Sequence, residues 1–244
     1  AQALQMAFEM SQMEIDRTQF PIDEALHAIR LHSNLEQPSR VSEVAMTASP
    51  KLRNVADAVG LVFQWYSGPE NNLASIPLHE VMGGGIAVID YDLDGWPDVY
   101  LAQGSGDPPT DACTRSNQLF RNLAGVFATV TEPAQSNDFH YSSGLASGDI
   151  NQDGFPDLLL GSLGRNRLLI NNGDGTFHDA TSAMGSVPDR FTSSVAIADI
   201  NGDHYLDAVL RFVPIGPGAT RAPLTLPLTR TSPDGPFTVP EPAR

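Results

Sequence analysis

Apolar residues change their spacing once along this chain, near residue 60. Before that point, residues 3–17 contain no Gly or Pro and are rich in Met, Leu, Gln and Glu, all good helix formers. Pro21 interrupts the run, and Ile22, Leu26 and Ile29 then fall at i, i+4 and i+7, along one face of a second helix. These positions predict a helical segment over 1–48. Ser49-Pro50 supplies an N-cap and a first helical position for a short helix that ends at Gly60. Beyond it the apolar runs shorten and alternate with Gly, Asn and Asp, which is the texture of strands and turns.

The strands recur in a fixed order. A short strand at 85–89 leads into an acidic loop and an apolar strand at 99–102; the same succession returns at 144–148 with 158–161, and at 194–198 with 208–210. In the first two repeats a third strand follows at 117–122 and 166–171, and a fourth at 125–131 and 175–181. Asn172-Gly-Asp-Gly175 between two of these is a strong hairpin turn, because Asn-Gly and Asp-Gly tolerate positive φ. Thr131 to Asp149 and Thr181 to Asp199 both span 18 residues, so the register is tight. The loops begin 59 and then 50 residues apart, and the surplus lies in the Gly/Pro/Ser-rich stretch 104–116. Four strands in about 50 residues, repeated, is the pattern of a β-propeller. Asn54-Val-Ala-Asp-Ala-Val-Gly60 resembles Asp179-Ala-Thr-Ser-Ala-Met-Gly185, which makes 50–60 the lead-in to the first blade. The prediction is a mainly β fold: a helical segment at 1–48, an incomplete set of four-stranded propeller blades at 49–211, and a tail at 212–244. The tail holds eight prolines in 33 residues; since proline cannot donate to a sheet ladder, it is expected to be extended and disordered.

The loops carry the chemistry. They read Asp90-Tyr-Asp-Leu-Asp-Gly-Trp-Pro-Asp98, Asp149-Ile-Asn-Gln-Asp-Gly-Phe-Pro-Asp157 and Asp199-Ile-Asn-Gly-Asp-His-Tyr-Leu-Asp207. Oxygen-bearing side chains stand at positions 1, 3, 5 and 9: Asp90, Asp92, Asp94 and Asp98; Asp149, Asn151, Asp153 and Asp157; Asp199, Asn201, Asp203 and Asp207. Position 7 (Trp96, Phe155, Tyr205) is expected to offer a backbone carbonyl, its aromatic ring packing beside the loop rather than serving as a sugar-stacking platform. Carboxylates this close repel one another unless a cation joins them, and Ca2+ takes about 6–8 oxygens. An EF-hand shares the opening of the motif but needs a Glu at position 12 and flanking helices; position 12 here is Leu101, Leu160 and Leu210, and the flanks are strands. The third loop has His204 at position 6 in place of Gly; Gly202 at position 4 can shift part of the strain, and this site is expected to be the weaker one.

Charge and composition narrow the function. The net charge is −15, and ten of the 29 acidic residues are loop ligands, so three bound Ca2+ would bring the total to −9. The remaining acidity excludes a nucleic-acid partner, which needs a basic surface. Cys113 is the single cysteine and has no partner within the chain for a disulfide. No run reaches the length of a membrane-spanning helix. The chain opens with Ala1-Gln2 rather than Met and shows no secretory apolar region, as expected of a processed chain or a piece of a longer one.

At these loops the chain resembles the FG-GAP/VCBS repeat family, the calcium-loop propellers of integrin α-subunit type. The run from Glu80 through Gly83-Gly-Gly85 to Asp98, with residues 117–122 and Asn171-Asn-Gly-Asp-Gly-Thr-Phe177, is similar to the bacterial relatives of cartilage acidic protein, the ASPIC/UnbV group. The resemblance covers about 50–211. It implies a seven- or eight-bladed propeller with Ca2+ in a loop of each blade, extracellular or periplasmic display, and a role in adhesion or protein interaction, the partner being a protein or cell-surface ligand. Two full repeats and part of a third do not close a ring, which points to a fragment with an exposed edge.

No enzyme assembles from the sequence. The six histidines are scattered, and there is no His-Glu-x-x-His, Gly-x-Ser-x-Gly, phosphate loop or dinucleotide fingerprint. The expected function is a non-catalytic, calcium-binding interaction module; the alternative is the calcium-stabilised propeller domain of a secreted polysaccharide-active enzyme. A calcium sensor would need a helix pair that opens, and strands flank every loop.

Overall fold

The computed structural model describes residues 52–67, 78–104, 115–187, 190–214 and 223–240. The helices expected over 1–48, and Cys113, lie outside the described residues. Asn54–Arg244 form one unit. Its first sheet is an antiparallel meander of β1 (Ile86–Ile89), β2 (Asp98–Leu101), β3 (Gln118–Leu123) and β4 (Val126–Thr129), in that order. The second repeats it with β5 (Ser142–Gly148), β6 (Asp157–Gly164), β7 (Arg167–Asn171) and β8 (Phe177–Asp179). The third has β9 (Arg190–Ala198), β10 (Asp207–Val213) and β11 (Leu224–Leu228), and joins the second where Leu163 pairs with Phe191 and Gly164 with Arg190. In every sheet the acidic loop links the first strand to the second.

Alternation along each strand decides which sheet it meets. Ala87, Tyr100 and Leu119, opposite one another across β1, β2 and β3, are buried together with Leu158, Leu160 and Leu169 of the second sheet. The other face of the second sheet, Leu159, Leu168 and Ile170, packs on Ala208, Leu210, Phe212 and Leu228 of the third. A sheet covered on both faces needs apolar side chains on both, which is why β6 reads Leu158-Leu-Leu160 without alternation. Full burial of each of these leucines contributes about 1.5–3 kcal/mol. The strands approach closely at Gly161, where a Cβ would stand 2.8 Å from Val195.

The links between sheets repeat as well. Thr131 accepts the Leu119 N–H at 2.9 Å and Thr181 accepts that of Leu168 at 3.2 Å. The Phe177 N–H donates to Ala134 O at 2.8 Å, and the Phe237 N–H to Ala183 O at 2.9 Å. The short helix expected to end at Gly60 is a single 3-10 turn, Asp57–Val59, closed by Gly60 at φ +84°. Gly60 lies directly against the Phe127 carbonyl, and its counterpart Gly185 faces the Phe237 carbonyl. The piece is thus the lead-in to the first sheet, as its likeness to 179–185 predicts.

The tail departs from expectation. Instead of an extended, disordered segment, part of 212–244 completes the third sheet. β11 pairs with β10 from Ala208↔Leu228 to Phe212↔Leu224, and Thr229 bridges Thr238. Proline does not break the strand, because Thr229 exchanges its backbone hydrogen bonds with Thr238, on the side away from β10. Backbone groups two residues apart point the same way, so the missing N–H of Pro227 falls on that outer side, where it costs no bond to β10.

Candidate functional site

Three loops of the same length, held between paired strands, adopt nearly one hydrogen-bonding scheme. At position 1, Asp90 accepts N–H bonds from Asp94 and Gly95, both at 3.1 Å; Asp149 accepts from Asp153 at 3.0 Å and Gly154 at 2.9 Å; Asp199 accepts from Gly202 at 2.7 Å and His204 at 3.0 Å. Position 5 accepts the N–H of position 7 at 2.9 Å in all three, from Trp96 to Asp94, Phe155 to Asp153 and Tyr205 to Asp203. These are Asx turns, the local bonding that favours Asp and Asn in such loops. Each carboxylate oxygen keeps a lone pair for a further ligand.

Position 9 closes each loop from below. Asp98, Asp157 and Asp207 are fully buried. One oxygen of each accepts the N–H of position 2, from Tyr91 (3.1 Å), Ile150 (2.8 Å) and Ile200 (3.0 Å). The other accepts an N–H from beyond the loop, from Asn122 (2.7 Å), Asn171 (2.8 Å) and Arg230 (3.3 Å). Burial pushes the Asp98 carboxyl up to about 6 and that of Asp157 to about 7; the N–H bonds pull down against this, and the neighbouring loop aspartates push up with it.

The structure gathers some expected ligands and not others. In loop one, carboxylate oxygens of Asp90, Asp92 and Asp98 lie within 4.8 Å of one another. Asp92 Oδ1 is buried without a hydrogen-bond partner. Asp94 is not part of that group: its Oδ2 pairs at 3.0 Å with Arg121, which also reaches Asp92 Oδ2 at 2.6 Å. In loops two and three the position-3 residue is an amide, and Asn151 and Asn201 donate to Asp153 and Asp203 at 2.8 and 3.0 Å. A carboxylate with a buried orphan oxygen, clustered with two further carboxylates, fits a hard divalent cation such as Ca2+. Of the position-7 rings, Phe155 packs against Gly173, Tyr205 is half-buried, and Trp96 departs from the expected packing, with 48% of its surface exposed.

The first two loops are also fastened by the next sheet. Asn171 Nδ2 donates to the Tyr91 carbonyl at 2.8 Å, and Arg230 donates to that of Ile150 at 3.2 Å. Arg230 thus stands where the earlier sheets have Asn122 and Asn171, and this role was invisible while the tail was read as disordered.

Sequence reasoning also missed a buried ionic cluster between the first two sheets. Asp138 Oδ1 lies 2.5 Å from His140 Nδ1 and 3.2 Å from Arg167, while Oδ2 accepts from Asn117 at 3.3 Å and Ser142 at 3.0 Å. Burial raises the Asp138 carboxyl, but His140 and Arg167 outweigh it and hold it below its ordinary value. The scattered histidines gave no hint of it; proximity comes from the β4–β5 link folding back on β3.

Two segments of the chain, 90–160 and 149–210, match the FG-GAP-like repeat family. The chain carries FG-GAP-like repeats. Each match runs from one acidic loop into the strand after the next, so the loop and its flanking strands are the unit that recurs. No curated protein matches the chain significantly. The FG-GAP repeats make 90–210 a β-rich, propeller-like repeat module. Among the described residues, no helix is long and apolar enough to cross a membrane.

Proposed function

We propose that this FG-GAP repeat chain is a calcium-stabilised propeller module for protein interaction or cell adhesion, non-catalytic, extracellular or periplasmic, and of the ASPIC/UnbV group. The observation that carries the reading is the recurrence of one loop scaffold three times, with a buried, unpartnered oxygen on Asp92, whose carboxylate clusters with those of Asp90 and Asp98 in the first. Asp90, Asp92 and Asp98, and the matching side chains Asp149, Asn151, Asp157, Asp199, Asn201 and Asp207, would hold the ions. Bound Ca2+ would supply the positive charge that offsets their repulsion and would tie each loop to the start of its second strand.

Thermal unfolding followed by circular dichroism, in EDTA and then in millimolar Ca2+, tests the reading, since a ligand that binds only the folded state raises its stability. The expected result is a clear rise in Tm with Ca2+, and a smaller rise for Asp149→Ala, which also melts lower in EDTA because the Asp153 and Gly154 N–H groups lose this acceptor, but falls further below wild type in Ca2+. Equal loss in both buffers would show that Asp149 acts without calcium and would overturn the assignment.

A further inference from the structure

Loop one differs from the other two at a pair of positions that change together. Position 3 is Asp92 where the others have Asn151 and Asn201, so loop one carries four carboxylates against three. In the other loops the asparagine amide donates to the position-5 aspartate. Asp92 cannot donate, and two carboxylates at positions 3 and 5 repel. One guanidinium nitrogen of Arg121, on β3, bridges them at 2.6 and 3.0 Å. The same strand position in the second sheet is Ile170, and in the third Thr229. The extra negative charge of Asp92 is thus matched by the extra positive charge of Arg121.

We propose that Arg121 is a tethered counter-cation of loop one, doing for Asp92 and Asp94 what the asparagine amide does elsewhere, and that a divalent ion entering this loop must compete with it. Resting on the calcium reading above, this makes loop one weaker and more salt-sensitive than its four carboxylates suggest. Arg121 weakens binding in two ways that act in the same direction: it occupies oxygens, and its charge opposes that of the ion. Its side chain is about one-third exposed, so it can swing away without unpacking the sheet.

The chain supplies a probe for this one loop. Of its two tryptophans, Trp96 stands inside loop one and Trp65 outside all three loops. Tb3+ emission excited at the red edge of tryptophan absorption therefore reports loop one, with Trp96→Phe as the control, and Ca2+ affinity follows from displacement of Tb3+. Arg121→Ala should tighten Ca2+ binding at loop one by at least about tenfold, the scale of one unit charge beside a partly exposed site. Asp92→Asn/Arg121→Ala, which rebuilds the position-3 amide of the other loops, should lose most of that gain. Unchanged or weaker binding in Arg121→Ala, with Tb3+ still bound, would overturn the counter-cation and leave the calcium reading standing. Absence of Tb3+ emission and of any Ca2+ effect on Tm, in wild type and variants alike, would overturn both.

Discussion

Single residues set the shape of the loops through two backbone positions. Position 4 takes positive φ in every loop, at Leu93 (+55°), Gln152 (+59°) and Gly202 (+78°), and so does position 6, at Gly95 (+87°), Gly154 (+96°) and His204 (+72°). Each loop therefore spends one glycine and strains one other residue; the third merely exchanges the two. His204 accordingly gives no reason for loop three to be the weaker site, because Gly202 at position 4 takes up what position 6 loses, and the strain shift expected of Gly202 is complete rather than partial. The left-handed region costs a residue with a Cβ about 1–2 kcal/mol, although His is among those that tolerate it better. His204→Gly and Leu93→Gly should each raise the stability of the calcium-free protein by about 1 kcal/mol, read from the denaturant midpoint at unchanged slope. A gain for His204→Gly alone would mean that the strain is peculiar to loop three.

At the scale of elements, the sequence announced the strands wherever apolar alternation and a loop motif coincided. All of β1 to β10 lie within a few residues of their expected places, and the lead-in at 54–60 was legible from its likeness to 179–185. The last strand was not, because the rule that excludes proline from sheets ignores which side of the strand each N–H faces. At Pro227 that side is the outer one. In the first two sheets the corresponding N–H, of Leu119 and Leu168, is answered by a threonine hydroxyl rather than by a neighbouring strand. A second sign lies in the sequence: Asp234-Gly-Pro-Phe237 echoes Asp174-Gly-Thr-Phe177, and Phe237 is only 5% exposed, its N–H donating to the Ala183 carbonyl. Ion pairs such as Arg121 with Asp92 were hidden for a different reason, since pairing across a sheet depends on register, which spacing alone does not fix. Phe237→Ala should destabilise the protein by about 3–5 kcal/mol through lost burial and the cavity left behind. An exposed tail would tolerate the same change within about 0.5 kcal/mol, so one unfolding curve separates the two views.

The three described sheets form a stack in which each supplies half of the next one's core, so their stability depends on the contacts between sheets as much as on the loops. Apolar clusters hold both junctions, and at the first of them Asp138 adds a charged pin that joins Asn117 on the first sheet to Arg167 on the second. The Asp138 carboxyl is held below its ordinary value of 3.8, because its bonds to His140 and Arg167 outweigh the burial that would raise it. A group whose pKa is depressed by folding stabilises the folded state at pH values above its unfolded pKa, and that contribution is lost as pH falls through the folded value. The Asp138 carboxylate therefore contributes in full at neutral pH, and its contribution is lost only below about pH 4. Asp138→Asn keeps the shape but not the charge, leaving Arg167 with Asp179 as its remaining carboxylate partner. The variant should melt lower than wild type at pH 7, and the gap should narrow as the pH is brought below 4, where the wild-type carboxyl protonates too. Parallel Tm curves for the two proteins from pH 7 down to pH 3 would show that Asp138 serves through hydrogen bonding alone, and that its charge adds nothing to the junction.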